Sequence, residues 1–210
     1  ILMEWQMPRI SVVVPVYNAD KYIGETLQSI GNQTFGDFDV HVVDDCSTDG
    51  SAAIVQAFCA GDDRFSYHRS PSNFGGPAGP RNLGIEKSSG EYVAFCDADD
   101  LWVPHKLEIQ LAVAEETGAD VVSAVVRDFH DGEKRQPLAP PSGVVPRSEV
   151  SHSRLLLKNW IALSSVIARR SALEAAGPFN PARSHIAVED FDMWLRITHA
   201  GGRAVRVGVP

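Results

Sequence analysis

The segment that most constrains this chain is Tyr92-Val93-Ala94-Phe95, an apolar run that stops at Cys96-Asp97-Ala98-Asp99-Asp100. Its length suits a buried strand. Three carboxylates crowded behind it have no place in a core unless they are paired or bound to a cation, so they belong at the strand's carboxyl end, facing a crevice. A second run, Phe38-Asp39-Val40-His41-Val42-Val43, also ends in acid, at Asp44-Asp45-Cys46-Ser47-Thr48-Asp49. A lone Asp-x-Asp is as readily a turn or a helix cap. Two acidic strand ends on one sheet repel each other, and only a cation or a rich set of donors relieves that. Hard oxygen donors at such a place suit Mg²⁺ or Mn²⁺ carried on a phosphate-bearing substrate.

The rest of the order fits this placement. Ile10–Val16 reads as a buried strand; Tyr17-Asn18-Ala19-Asp20 follows as a turn, then a helix with Ile23, Leu27 and Ile30 on one face. Thr48 or Asp49 can cap a helix carrying Ile54, Ala57 and Phe58, and Phe65–Arg69 alternates like a strand. The stretch Asn73-Phe74-Gly75-Gly76-Pro77-Ala78-Gly79-Pro80-Arg81-Asn82 leads into a short helix from about Arg81 to Ser88. Its glycines would let backbone approach a ligand, and Arg81 could reach a phosphate. It is neither a dinucleotide fingerprint nor a P-loop. Pro104 opens a helix with Leu107, Leu111 and Ala114; Ala119–Phe129 reads as a fifth strand, and Asp131–Ser142 as a loop or hairpin. Beyond it, Leu155–Trp160 looks helical, Ser164–Arg169 a strand, and Ser171–Ala176 a helix ended by Gly177-Pro178. Glu189-Asp190 opens a helix with Phe191, Trp194, Leu195 and Thr198 inward, Gly201-Gly202 ends it, and Ala204–Val209 is one more strand. Alternating strands and helices predict an α/β fold around a mostly parallel sheet.

The net charge of −8 argues against nucleic acid as a partner, since phosphate binding needs a basic face, while local Lys and Arg could still grip a small anion. No apolar run approaches the roughly 18 residues of a membrane span, and Ile1-Leu2-Met3 is too short for a signal peptide core. Cys46, Cys59 and Cys96 are an odd number with no Cys-x-x-Cys spacing, which reads as three free thiols in a reducing cytoplasm, small buried residues rather than nucleophiles. His185 and Glu189 lie four apart, but no His-Glu-x-x-His occurs to make them zinc ligands. Arg169-Arg170 reads as a solvated strand end with an outside chance of meeting lipid headgroups.

Four pieces stand in fixed order: Val14-Pro15-Val16-Tyr17-Asn18, Val43–Asp49, Asp97-Ala98-Asp99-Asp100, and Glu189-Asp190-Phe191-Asp192-Met193-Trp194-Leu195-Arg196. Together, with Gly-Pro-Arg-Asn at 79–82 between the second and third, they resemble the family 2 glycosyltransferases, inverting enzymes of the GT-A fold. The likeness runs from about Ile10 to Arg196, and the glycine-proline loop is similar to that of polymer-glycosylating members such as the wall teichoic acid sugar transferases. The resemblance implies a nucleotide-diphospho-sugar transferase fold with a nucleotide-binding half at 10–103 and an acceptor half at 104–210. Residues 1–9 would be a disordered or appended remnant. It implies that Pro15, Tyr17 and Asp45 contact base and ribose, that Arg81 lies beside base or phosphates, that Asp97 meets the ribose, and that Asp99 binds Mg²⁺ or Mn²⁺. Tyr17 could otherwise be a core aromatic. Asp190 would be the general base, with Glu189 orienting it or touching the acceptor; taken alone, the pair would simply satisfy a helix N-terminus. Asp192 is expected in solvent and Trp194 packed inward.

The implied partners are a nucleotide sugar, most naturally UDP-linked, and a saccharide, lipid-linked or polymer hydroxyl acceptor, as in cell-surface glycopolymer synthesis. The implied place is the cytoplasm, with peripheral association at the inner membrane face. Two rivals are weighed. A sugar-phosphate nucleotidyltransferase would want a glycine-rich basic loop where Pro15-Val16-Tyr17-Asn18 stands. A non-catalytic nucleotide-binding module would have no use for both Asp99 and Asp190. The family usually continues past the Asp190 helix with helices that close the acceptor side, so further C-terminal sequence is expected.

Overall fold

The computed structural model describes residues 7–130 and 143–209, so the loop expected at Asp131–Ser142 lies outside the described residues. Eight strands form one sheet: β1 (Ile10–Val16), β2 (Phe38–Asp44), β3 (Phe65–Arg69), β4 (Tyr92–Phe95), β5 (Val121–Ala124), β6 (Arg147–Glu149), β7 (Ile167–Arg169) and β8 (Ala204–Val207), in the order β3-β2-β1-β4-β7-β5-β8-β6. β3, β2, β1 and β4 run parallel; β7 is antiparallel to both β4 and β5, and β5 pairs β8 in parallel. The helices are α1 (Ile23–Gly31), α2 (Ser51–Cys59), α3 (Ala78–Lys87), α4 (Lys106–Thr117), α5 (His152–Leu155), α6 (Arg170–Ala176) and α7 (Glu189–His199). Two apolar clusters fill the two faces of the sheet. One gathers Val12, Val14, Leu27, Val40, Val42 and Leu107; the other gathers Val13, Phe95, Phe179, Met193 and Trp194.

β1 lies between β2 and β4, where the connections depart in opposite senses, and that is where an open α/β sheet leaves a crevice at the strands' carboxyl ends. Pro15 can stand in this central strand because of where its missing N–H would point. The Val13 carbonyl accepts from Cys96 N–H, whereas the Val16 carbonyl accepts from Asp45 N–H, so Pro15 turns toward β4 just beyond that strand's end.

Several elements differ from expectation. α3 begins at Ala78 rather than near Arg81, because Pro80 falls in the first turn, where a missing N–H costs nothing. β5 stops at Ala124, not Phe129: its partner β8 ends at Val207, one more bond joins Val125 N–H to the Val209 carbonyl, and 125–129 then leave the sheet. Leu155–Trp160 is not a helix. One turn capped by Ser151 ends at Leu155, the only member of the Leu155-Leu156-Leu157 run that is buried. At 163–165 a 3₁₀ turn replaces the start of the expected strand. The inward face of α7 is Met193, Trp194 and Ile197, with Phe191 and Leu195 only partly covered.

Gly84 sits where α3 crosses β1: a Cβ there would lie 2.4 Å from Val13 Cγ1, inside a packed core. Gly84→Ala is expected to lower stability by about 1–3 kcal/mol in denaturant unfolding. Gly36→Ala, with open space around it, should not lower it.

Candidate active site

The platform comes first. β1 and β2 end side by side, and their following turns are stitched together: Asn18 N–H donates to Ser47 Oγ at 3.0 Å, Thr48 N–H to Asn18 Oδ1 at 2.8 Å, and Ala19 N–H to Ser51 Oγ at 2.8 Å. Asn18 and Cys46 hold left-handed backbone (φ 49° and 64°) to make these turns. The acids at the end of β2 are met by donors rather than by each other. Asp44, fully buried, accepts from Ser47 N–H, Tyr67 Oη and Arg69 Nη1. Asp45, also buried, accepts Phe74 N–H at 3.0 Å and so ties the glycine-proline loop to β2. Within that loop the close approaches are to protein: a Cβ on Gly79 would meet Phe74, one on Gly76 would meet Ile186, and Gly75 has φ 75°.

β4 delivers Asp97–Asp100 to the neighbouring edge. This turn is pinned by three bonds to two elements: Asp97 N–H donates to Ser164 Oγ, Thr26 Oγ1 of α1 to the Ala98 carbonyl, and Trp102 Nε1 to the Ser164 carbonyl. Burial pushes the Asp100 carboxyl up, against the Ser164 hydrogen bond, and the Asp97 and Asp99 charges push it further.

Arg81 joins the two halves of the site. It is buried in α3, and its guanidinium forks: Nη2 donates to Asp97 Oδ1 at 2.7 Å and Nη1 to Glu189 Oε1 at 2.5 Å. α7 is thereby held against the end of β4, and Asp190 comes with it. Arg81, Asp97, Glu189 and Asp190 line one open cleft of about 1060 Å³, with Ser164, Trp102 and residues 124–129 along its walls. Pro15, Tyr17, Asp45 and Asp99 belong to the same carboxyl edge but are not lining residues of that cleft. Tyr17 is 55% exposed, so it is not a core aromatic. Asp99 is exposed at the outer side of its turn. Arg81, expected beside base or phosphate, has both terminal nitrogens engaged by carboxylates.

The burial of Asp190 pushes its carboxyl above the ordinary aspartate range; the Phe191 N–H opposes this, the Glu189 charge adds to it, and Arg81 and the Asn159 amide draw it back down. Asn159 is itself set by the hydrogen bond its Oδ1 accepts from Ile161 N–H. Glu189 keeps one buried oxygen, Oε2, without a protein partner. Asn82 ties α3 to the chain ahead of α7, exchanging two hydrogen bonds with the backbone of Phe179. Asn159, Ser164 and Asn82 were not singled out as site residues by the sequence reading; each is a common polar residue whose role depends on a partner at least 31 positions away.

Other candidates fall away. Cys96 is buried, and burial together with Asp100 and Asp97 pushes its thiol well above the ordinary range, which suits no nucleophile. Glu189 pairs with Arg81, not with His185. Among the described residues no group of three or more His, Cys, Asp or Glu side chains is arranged to cage a metal. Asp97 and Asp99 instead fit the mode in which a hard cation takes one or two carboxylates and completes its shell with water and substrate phosphate, since Asp97 keeps an oxygen free of Arg81 and Asp99 is open to solvent. No described helix is long and apolar enough to cross a membrane.

Comparison with known proteins bears on the family and the fold. A putative teichuronic acid biosynthesis glycosyltransferase of Bacillus subtilis is 41% identical over 110 residues, which are 52% of this chain and 43% of that protein. The poly(ribitol-phosphate) beta-N-acetylglucosaminyltransferase TarS of Staphylococcus aureus is 39% identical over 118 residues, 55% of this chain and 20% of that one. The chain thus spans less than half of these relatives. The crystal structure of S. aureus TarS 1–349 in complex with UDP superposes with TM-score 0.75 at 28% identity, covering 94% of this chain and 57% of that chain, and the architecture is the GT-A fold. A Pyrobaculum calidifontis mannosyltransferase solved with GDP-Man and Mn²⁺ shares the fold at TM-score 0.72 and 24% identity, over 98% of this chain and 55% of that chain. The model of glycosyl transferase family 2 matches residues 11–175, and the chain belongs to that family.

Proposed function

We propose that the chain is the donor-binding and catalytic core of an inverting, metal-dependent glycosyltransferase that moves a sugar from a UDP-sugar to a hydroxyl acceptor. One observation carries the reading: the Arg81 fork brings the Glu189-Asp190 helix start into the same cleft as the Asp97 strand end. Support for the donor comes from the TarS neighbour, solved with UDP and with UDP-GlcNAc at 28% and 29% identity. Support for a glycopolymer hydroxyl as acceptor, on a saccharide, lipid-linked or polymer chain, comes from the names of the relatives.

In this reading Tyr17, Pro15 and Asp45 present the edge on which base and ribose lie, and Asp97 faces the ribose. Asp97 and Asp99 would hold Mg²⁺ or Mn²⁺, which when bound supplies Lewis-acid stabilisation of the departing diphosphate, worth several kcal/mol. Asp190 accepts the proton of the acceptor hydroxyl as that oxygen attacks the anomeric carbon from the face opposite the nucleotide. Burial raises its pKa, which makes it a better base than an ordinary aspartate. Arg81 is a positioning residue that fixes Asp97 and Glu189 relative to one another. Work on a cytoplasmic, membrane-proximal substrate is part of the same proposal.

Three outcomes test it. Asp190→Asn should leave UDP affinity near wild type and cut turnover by about 10²-fold or more; normal turnover would move the base elsewhere. Asn159→Ala removes a donor that stabilises the Asp190 carboxylate. Asp190 then holds its proton to higher pH, so the acid limb of the kcat/KM profile should move upward while the plateau is kept; an unmoved limb would detach Asn159 from the base. Asp99→Ala should abolish the chelator-sensitive part of UDP binding in calorimetry. Equal binding by wild type and variant, with and without chelator, would remove Asp99 from the site.

A further inference from the structure

The chain is acidic as a whole, yet from Val150 to Val188 it carries Arg154, Lys158, Arg169, Arg170 and Arg183 against a single acid, Glu174. Two of these cations are consumed by the fold. Arg169 meets Glu91, Asp120 and Tyr92, and Arg170 donates to Gly90, Ile85 and Ser88, so the strand end expected in solvent is part of the packing. Arg154, Lys158 and Arg183 remain exposed.

Between the first two stand Leu156 and Leu157, 64% and 87% exposed, an adjacent apolar pair on a short turn with no described neighbour covering it. Arg154 and Lys158 both lie over the ring of half-buried Trp160, at 5.1 Å and 5.2 Å from its centroid. The nearest acid before them, Glu149, is turned to Arg203. A second exposed stretch, 181–188, contributes Ile186, Val188 and Arg183 and contains no acid. Asn159 of the first stretch bonds Asp190, two residues past the end of the second.

We propose that the Arg154–Trp160 turn, together with Ile186 and Val188, docks on an anionic bilayer surface. Leu156 and Leu157 would enter the headgroup–acyl boundary, Trp160 would take the interfacial level, and Arg154, Lys158 and Arg183 would meet lipid phosphates. Charge favours this occupant: an acidic protein is repelled by an anionic surface except through such a local basic patch. The docking does not depend on the transfer reading. Only its consequence does, namely that the Asp190 end of the cleft would face the membrane, where a lipid-linked acceptor would be presented.

Co-sedimentation with vesicles, without nucleotide sugar, separates the outcomes. The protein should pellet with phosphatidylcholine vesicles containing phosphatidylglycerol and stay in solution with phosphatidylcholine alone, and added salt should release it. Replacing Leu156 and Leu157 by serine should weaken partitioning at least about tenfold, and Lys158→Ala several-fold. Val144→Ser, at an exposed apolar residue outside the patch, should change nothing. UDP binding by the Leu156/Leu157 variant should equal wild type, which shows that it is folded. No pelleting with either vesicle, equal pelleting of the leucine variant, or a dimer in solution that the leucine variant dissolves would each overturn the proposal, the last by naming a second copy as the occupant.

Discussion

The interaction on which the site depends is the buried guanidinium of Arg81 between two carboxylates, one 16 residues downstream and the other 108. A buried cation with one acid removed is strongly destabilising, about 3–5 kcal/mol, because the remaining charge is stranded in low dielectric. The fork therefore works as a constraint as much as an attraction. With both acids present, α7 is seated against β4 in one arrangement. Lysine could not replace it: a point charge cannot hold two carboxylates at a fixed angle, whereas a planar fork does. Asp190, next in sequence to the clamped Glu189, is placed by that constraint and steadied by Phe191 N–H and the Asn159 amide.

The clamp also explains how much of the molecule could be read in advance. The strands β1, β2, β3 and β4 follow from local patterning, and their boundaries agree with expectation to within a residue, whereas α3 starts three residues early. Each is an apolar run closed by a strong local signal, such as acid after Phe95 or Pro-Val-Tyr-Asn after Val14. Beyond Ala119 local signals and tertiary partners diverge. Val125–Phe129 has strand composition but lies past the end of the β5–β8 ladder at Ala124–Val207, and Leu155–Leu157 has helix composition but burial for a single residue. The start of α7 at Glu189-Asp190 was legible from the sequence. Asn159 and Ser164 were not, since what marks them is a contact made across the sheet.

The acids illustrate a second limit of sequence reasoning. Two acidic strand ends were expected to demand a cation or many donors. For Asp44 and Asp45 the donors are entirely intramolecular, so these carboxylates stabilise turns and the glycine-proline loop whatever else they contact. At Asp97–Asp100 the donors are fewer: Asp97 shares Arg81, Asp100 has Ser164 with its carboxyl pushed up, and Asp99 stands open. The unrelieved negative charge is thus concentrated at one of the two strand ends. That is the end nearest the cleft, where a cation-bearing ligand would relieve it.

Backbone strain is distributed in the same way. The non-glycine residues held in left-handed backbone, among those described, are Asn18, Cys46 and Ala187. Such a conformation costs roughly 1–2 kcal/mol per residue. Asn18 and Cys46 lie in the two stitched turns, where several hydrogen bonds hold the geometry. Ala187 has no side-chain bond to offset the cost; it lines the cleft two residues before the Arg81-clamped Glu189. The strain there can be sustained because the clamp fixes the chain on one side and Ile186 packs over Gly76 on the other. The β1–β2 edge is therefore held by many small bonds, and the start of α7 by the Arg81 fork together with the Asn159–Asp190 bond and the packing of Met193 and Trp194. The strained turn and the clamp together set where the proposed base stands in the cleft.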